Sequence, residues 1–321
     1  MMERTMMLKE STPLHTDRTD RVKPLPFEPN HLDGLSVGLL ESHYENNYSG
    51  TVKRLNRIRA ELSQLHWSET PTFVINGLKR EELMAANSAL LHELYFDSLG
   101  GNGELRPGGL SVGFGRDFGG FECWRNEFVA LAKALGGGPG WALCSWSSRE
   151  HRLINHWAAD HTYLLGATTP LLALDMYEHA YHLDYGADAS AYIAAFMRNI
   201  DWEKVNAHYT TAVESDAAPW AIVNTDVMDA ESPFLILDVR RAGAFEAAPN
   251  LIAGAVWQDP ERVEEWAASL PHSRPVVVYC VYGHEVGQST TAILRSKGID
   301  AKYLAGGIEA WKAAELPVQP K

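Results

Sequence analysis

Four apolar residues in a row, VVVY at 276–279, run straight into Cys280, a loop containing Gly283, and a helical segment that begins near Gly287. A short unbroken apolar run closed by such a loop reads as a strand buried on both faces. The surrounding pattern repeats the arrangement, with strands at 234–239, 276–280 and 301–304 and helices at 262–270, 289–297 and 308–314. Strands alternating with helices at this spacing require a parallel sheet covered on both sides, so the last hundred residues are α/β.

The first two-thirds of the chain has a different period. Leu35, Val37, Leu39, Leu40, Tyr44, Tyr48, Val52, Leu55, Ile58 and Leu62 recur at threes and fours, which predicts a long helix. Residues 80–99 repeat the pattern, a glycine-rich loop follows at 100–109, and 118–135 reads as another helix closed by the glycines of 136–140. Short apolar runs at 141–146 and 171–174, bounded by polar turns, predict strands, and helix returns at 188–209. The chain is therefore expected to be multidomain: a disordered polar tail at 1–23, a helical hairpin plus α+β domain at 24–209, a linker at 210–222 (TTAVESDAAPWAI), and an α/β domain with a parallel sheet at 223–321.

Charge and cysteine usage narrow the classes of function. A formal net charge of −13 argues against nucleic acid as a partner, because phosphate contacts need clustered Lys and Arg. Three scattered cysteines, Cys123, Cys144 and Cys280, make no disulfide framework. The charged N-terminus is not a secretory signal, and no stretch approaches the ~20 apolar residues of a membrane span. The expectation is a cytoplasmic protein with no membrane partner.

Histidines carry the information in the first domain. His43 and His92 each fall on a predicted helix, while Asp175 and His179 lie four apart at the end of an apolar run. Three imidazoles and one carboxylate suit iron or manganese, whereas a thiolate-rich set favours zinc. Spacing alone does not single out this quartet among 13 histidines.

The segment LDMYEHAYHLDY (174–185) resembles the Asp-x-Trp-Glu-His-Ala-Tyr signature of iron/manganese superoxide dismutases. ESHYENNY with His43, LLHELYF with His92, GPGWAL and NIDWEKV are similar to further family segments in the same order, over roughly 24–209. The resemblance implies one Fe or Mn ion per subunit held by His43, His92, Asp175 and His179, with solvent as fifth ligand and superoxide as substrate. It implies that His161 stands where a subset of archaeal iron enzymes has a histidine facing the bound solvent, which leans toward iron. It also implies a homodimer, with Glu178 reaching a partner's ligand histidine and Tyr181 beside it. Several positions depart from the family pattern. Thr51 and Asn47 replace the tyrosine and histidine of the substrate gateway, Phe96, Tyr177 and Leu143 replace tryptophans, and Ala189 replaces an arginine. No ligand is lost, so metal binding is expected to survive; fast dismutation is the property these changes put in question.

The Cys280 loop points successive backbone N–H groups at the sulfur and adds a helix N-terminal dipole, an arrangement expected to favour the thiolate. The segment resembles a rhodanese active-site loop formed by Val281, Tyr282, Gly283, His284, Glu285 and Val286, supported by LDVR (237–240), IAGAVW (252–257) and YLAGGIEAW (303–311). Its Gly-His-Glu-Val sequence is similar to a subgroup found beside chromate-resistance functions. Many rhodaneses carry an arginine here, whereas this loop offers His284 and Glu285; repulsion by Glu285 points away from thiosulfate and toward an organic persulfide or another oxyanion. The resemblances together imply a superoxide dismutase with an appended sulfur-handling domain. The alternative is a dismutase-like metal or sensor scaffold of low activity whose rhodanese domain does the main chemistry, and a third reading makes Cys280 an arsenate- or chromate-directed thiol.

Overall fold

The structure is a computed structural model that describes residues 19–136, 138–228 and 234–321. Most of the expected N-terminal tail lies outside the described residues. The first module opens with α1 (Val37–Ser42), started by Ser36, whose hydroxyl accepts from the Leu39 N–H. This helix passes without a break through a π-helical segment, His43–Tyr48, into α2 (Ser49–Ser63). The 26-residue α3 (Thr72–Asp97) returns alongside α2, so the two long predicted helices form a hairpin. Leu55, Ile58 and Leu62 meet Ala85 at its outer end, and Leu39, Leu40 and Val52 meet Leu91, Tyr95 and Phe96 at its inner end.

Next come α4 (Gly109–Phe118) and α5 (Phe121–Ala134), then a three-stranded antiparallel sheet of β1 (Trp141–Ser147), β2 (Arg152–Ala158) and β3 (Thr168–Asp175) in the order β2-β1-β3. β1 is central and buried along its whole length. The helices α6 (His182–Tyr185), α7 (Ala189–Arg198) and α8 (Trp202–Ala217) complete the module. Three of these elements, α4, β2 and the one-turn α6, lie outside the sequence expectation.

The expected linker is corrected. α8 runs on to Ala217 with Ala212, Val213 and Ala217 buried, so residues 210–217 are helix, and only a single 3-10 turn, Ala218–Trp220, separates it from the second module. The weak period there reflects a helix packed on more than one side rather than free chain.

The second module holds β4 (Ala221–Ile222), α9 (Asn224–Met228), β5 (Leu235–Asp238), α10 (Ala242–Ala247), β6 (Asn250–Ile252), β7 (Val256–Trp257), α11 (Val263–Trp266), β8 (Val276–Tyr279), α12 (Glu285–Ser296), β9 (Ala301–Leu304), α13 (Gly307–Ala313) and β10 (Val318–Pro320). Five strands make the expected parallel sheet in the order β4-β9-β8-β5-β7, with β8 in the middle. Beneath it Asp238 and Arg240, both fully buried, pair through two hydrogen bonds of 2.9 Å from Nε, and the Tyr279 hydroxyl donates to Asp238 Oδ2 at 2.8 Å.

The two modules share a packed boundary. α12 is buried from Val286 to Leu294 because it packs on β8 and β9 on one side and on α8 on the other. Its hydroxyls are satisfied locally, Thr290 donating to the Val286 carbonyl (2.8 Å) and Thr291 to that of Gly287 (2.9 Å). Ser289 hydrogen-bonds with Tyr209 of α8, and Val112 of α4 belongs to the same apolar cluster as Val278, Ile293 and Leu294. The glycines of α4 have their explanation here. A Cβ on Gly109 would overlap the side chain of Glu285, and one on Gly115 would overlap the carboxylate of Glu261.

Candidate functional site

β3 ends on Asp175, which is paired in register with Trp141 at the start of β1. The chain then turns, the Tyr177 N–H donating to Asp175 Oδ1 at 2.9 Å, and a 3-10 turn, Glu178–Ala180, delivers His179 back toward the carboxylate. α3 brings His92 from one side. The π-helical segment brings His43 from the other, and such segments often mark functional positions in helices. The four residues named from the sequence therefore converge, each offering one ligand atom, all within 4.8 Å of one another.

The contacts within this quartet are those of a site built around a cation. His43 Nε2 and His179 Nε2 both lie 3.1 Å from Asp175 Oδ2, and His92 Nε2 lies 3.6 Å from the same oxygen. His92 Nδ1–H donates to the Ser88 carbonyl at 2.7 Å, which fixes the tautomer that leaves Nε2 as an acceptor. That Nε2 is buried and has no hydrogen-bond partner among the described residues. A buried polar atom left so is costly, and a cation at the centre would satisfy it together with its neighbours. Burial pushes His92 down to about 3 and also lowers His43. Burial opposes the charge on Asp175, but hydrogen bonds from His179 and His43 outweigh it and hold the carboxyl well below the usual range. Neutral imidazoles facing an ionised carboxylate form the donor set that fits Fe or Mn.

A cavity of about 370 Å³ opens on this cluster, lined by Asn47, Thr51, Arg54, Ser88, His92, His161 and His179. Thr51 and Asn47 thus lie at its wall, as the resemblance implied. Thr51 Oγ1 is 3.2 Å from Ser88 Oγ, which is 3.3 Å from His92 Nδ1, a hydroxyl chain that the sequence did not reveal. His161 also borders the cavity, with its ring edge-on to Trp141 at 5.8 Å, and burial lowers its pKa. Trp141 meets the His92 ring edge-on at 5.1 Å and closes the back of the site. Glu178 is exposed and makes no ion pair among the described residues, whereas Tyr181 is buried and stacks on Tyr192.

Cys280 follows the central strand β8 and lies far along the chain from these residues. The backbone N–H groups of Gly287, Gly283, Tyr282 and His284 surround its sulfur and favour the thiolate, while the thiol lies 3.9 Å from the His284 carbonyl. The resting thiol nevertheless differs from expectation: burial pushes its pKa up, and the four N–H groups only oppose that rise. The loop is pinned from below by the Ile308 N–H on the Cys280 carbonyl (3.0 Å) and the Glu309 N–H on that of Val281 (3.1 Å). Gly283 has φ +74°, and a Cβ there would strike the backbone of residues 304–307. Tyr282 and His284 are exposed at the loop's rim and Val286 is buried beneath it. Glu285 packs against α4 at Gly109, which weakens the expectation that it repels an anionic donor.

The family model described as iron/manganese superoxide dismutases, C-terminal domain, matches residues 107–208, and that of the rhodanese-like domain matches residues 224–314. An iron superoxide dismutase of Cupriavidus metallidurans is 56% identical over 192 residues, 60% of this chain and 97% of the relative. An iron superoxide dismutase of Aquifex pyrophilus is 34% identical over 197 residues (59% of this chain, 91% of the relative). A manganese superoxide dismutase of Haloferax volcanii is 32% identical over 195 residues (60% and 96%).

Proposed function

Because the chain belongs to the iron/manganese superoxide dismutase family and carries a rhodanese-like domain at 224–314, we propose that it disproportionates superoxide at one iron or manganese ion held by His43, His92, Asp175 and His179. The observation that carries this reading is the convergence of four ligand atoms on a buried point, with His92 Nε2 left unpaired. When bound, the ion supplies a one-electron couple that accepts an electron from one superoxide and returns one to the next, so that two superoxides and two protons become dioxygen and hydrogen peroxide.

The protein's part is position and protons. Ser88 orients His92, and Asp175 sets the charge of the site. Arg54 lines the cavity and is paired there with Glu81, so the site opens on a neutralised guanidinium rather than on one more of the chain's excess negative charges. The Thr51–Ser88 hydroxyl pair stands where the family's phenol would deliver protons. The test is dismutation per bound metal on the purified full chain, with Fe and Mn measured in the same sample. High turnover with one metal supports the reading and shows Thr51 to be tolerated. Stoichiometric metal with negligible turnover supports the low-activity scaffold instead.

The exposed Glu178 next to half-exposed His179 supports a homodimer in which each Glu178 meets the partner's metal site. Sedimentation of the purified chain at several concentrations tests it, and a monomer throughout is the opposing result.

For the second domain we infer sulfur transfer through Cys280. The thiolate attacks the outer sulfur of an organic persulfide, the S–S bond breaks, the donor leaves as its thiolate, and Cys280 becomes the persulfide. The loop carries no Lys or Arg to hold a dianion, which favours this donor class over thiosulfate. Incubation with a low-molecular-weight persulfide is expected to add the mass of one sulfur atom to wild type and none to Cys280→Ser. Equal labelling of both proteins would overturn the assignment.

A further inference from the structure

Behind His161, which lines the metal cavity, stands a phenol. Tyr177, at the position where the family signature has tryptophan, places its hydroxyl 3.3 Å from His161 Nδ1. The two rings stack at 5.0 Å with 14° between their planes, and the Asn87 amide anchors the same loop by donating to the His161 carbonyl at 2.6 Å. On the far side of the ring, His161 Nε2 is buried and has no hydrogen-bond partner among the described residues. The ring lies 6.3 Å from that of His92, nearly parallel to it.

We propose that Tyr177 is a positioning residue that fixes the tautomer of His161, so that Nε2 carries the proton and faces the cavity as a donor. This rests on the metal-site reading given above. A phenol has one proton to give, and His161 Nδ1 is its hydrogen-bond partner among the described residues. Either atom of this contact can donate; donation by the hydroxyl, the direction proposed, places the ring N–H on Nε2, because a neutral imidazole accepts at one nitrogen only. The chemical sense is clear from the substrate class. Superoxide and peroxide are anionic oxygen acceptors, and a donor in the wall attracts them where a bare ring nitrogen would repel them. The 3.3 Å separation is long for one hydrogen bond, and the stacking supplies the remaining constraint on the ring.

The experiment uses the full chain labelled with ¹⁵N in its histidines and freed of metal by chelation. Long-range ¹⁵N–¹H correlation separates protonated from bare ring nitrogens, and the His161 signals are identified by their loss in His161→Gln. Wild type is expected to show a protonated Nε2 and a bare Nδ1, and Tyr177→Phe is expected to show a mixture at an unchanged melting temperature. A wild-type His161 protonated at Nδ1 overturns the proposal by itself, even where Tyr177→Phe fails to fold; a wild-type pattern retained in Tyr177→Phe also overturns it. In the metal-loaded chain Tyr177→Phe is expected to lower dismutation by about tenfold at unchanged metal content, within the range for residues that orient a site from behind. A chain that binds no metal yet shows the expected tautomer would defeat the metal-site reading and leave this one standing.

Discussion

His92→Ala is expected to yield a folded chain that retains less than about a tenth of the wild-type metal and dismutes superoxide at least about 100-fold more slowly. Loss of residues that merely orient a ligand costs about 10–100-fold, so loss of a ligand sets the lower bound there. The substitution removes the imidazole whose Nε2 has no hydrogen-bond partner among the described residues, whereas the Nε2 atoms of His43 and His179 lie against Asp175. It also empties the space beside Trp141, so a melting curve must accompany the metal analysis. Undiminished metal and activity in a protein of normal stability would remove the quartet from consideration as the metal site.

Asp238→Ala is expected to destabilise the rhodanese-like domain by about 3–5 kcal/mol, the usual consequence of leaving one member of a buried ion pair without its partner. Arg240 is 2% exposed and sends Nε and a guanidinium nitrogen to this carboxylate. Tyr279 loses its acceptor in the same step. Chemical denaturation read by Cys280 alkylation should show the sulfur becoming reactive at lower denaturant, while metal content in the absence of denaturant stays at the wild-type level. A loss below about 1 kcal/mol would mean that water or a neighbouring carbonyl takes over the guanidinium.

Much of this molecule is legible in its sequence where burial is regular along an element. The hairpin of α2 and α3 shows its apolar stripe because its opposite face meets solvent, and β8 shows as an apolar run because it is buried along its whole length. The metal quartet is legible only through the resemblance carried by LDMYEHAYHLDY, ESHYENNY and LLHELYF, since spacing alone does not single it out. What escaped was set by contacts distant in the chain. α4 reads as loop because Gly109, Gly113 and Gly115 lower its helical propensity, and nothing local announces that Glu285 and Glu261 need that room. The start of α12 at Glu285 precedes the expected one, because its first turn carries the loop residues that follow Cys280. Tyr177 was noticed as a missing tryptophan, and its hydroxyl acquires a partner only when the fold brings His161 beside it.

The covered helix α12 bears on how such a chain can be taken apart. Its first turn closes the sulfur cradle, and its remaining length lines the joint with the neighbouring domain, so one element serves both neighbours. A protease cut or a gene split near Ala218–Trp220 would leave two fragments with raw faces. One would bare Val112, Tyr209 and the glycine ridge of α4, and the other would bare Ser289 and its companions on α12. Half-chains are therefore expected to be stickier and less soluble than the whole. A lineage that separated these domains would have to resurface both sides of the joint at once.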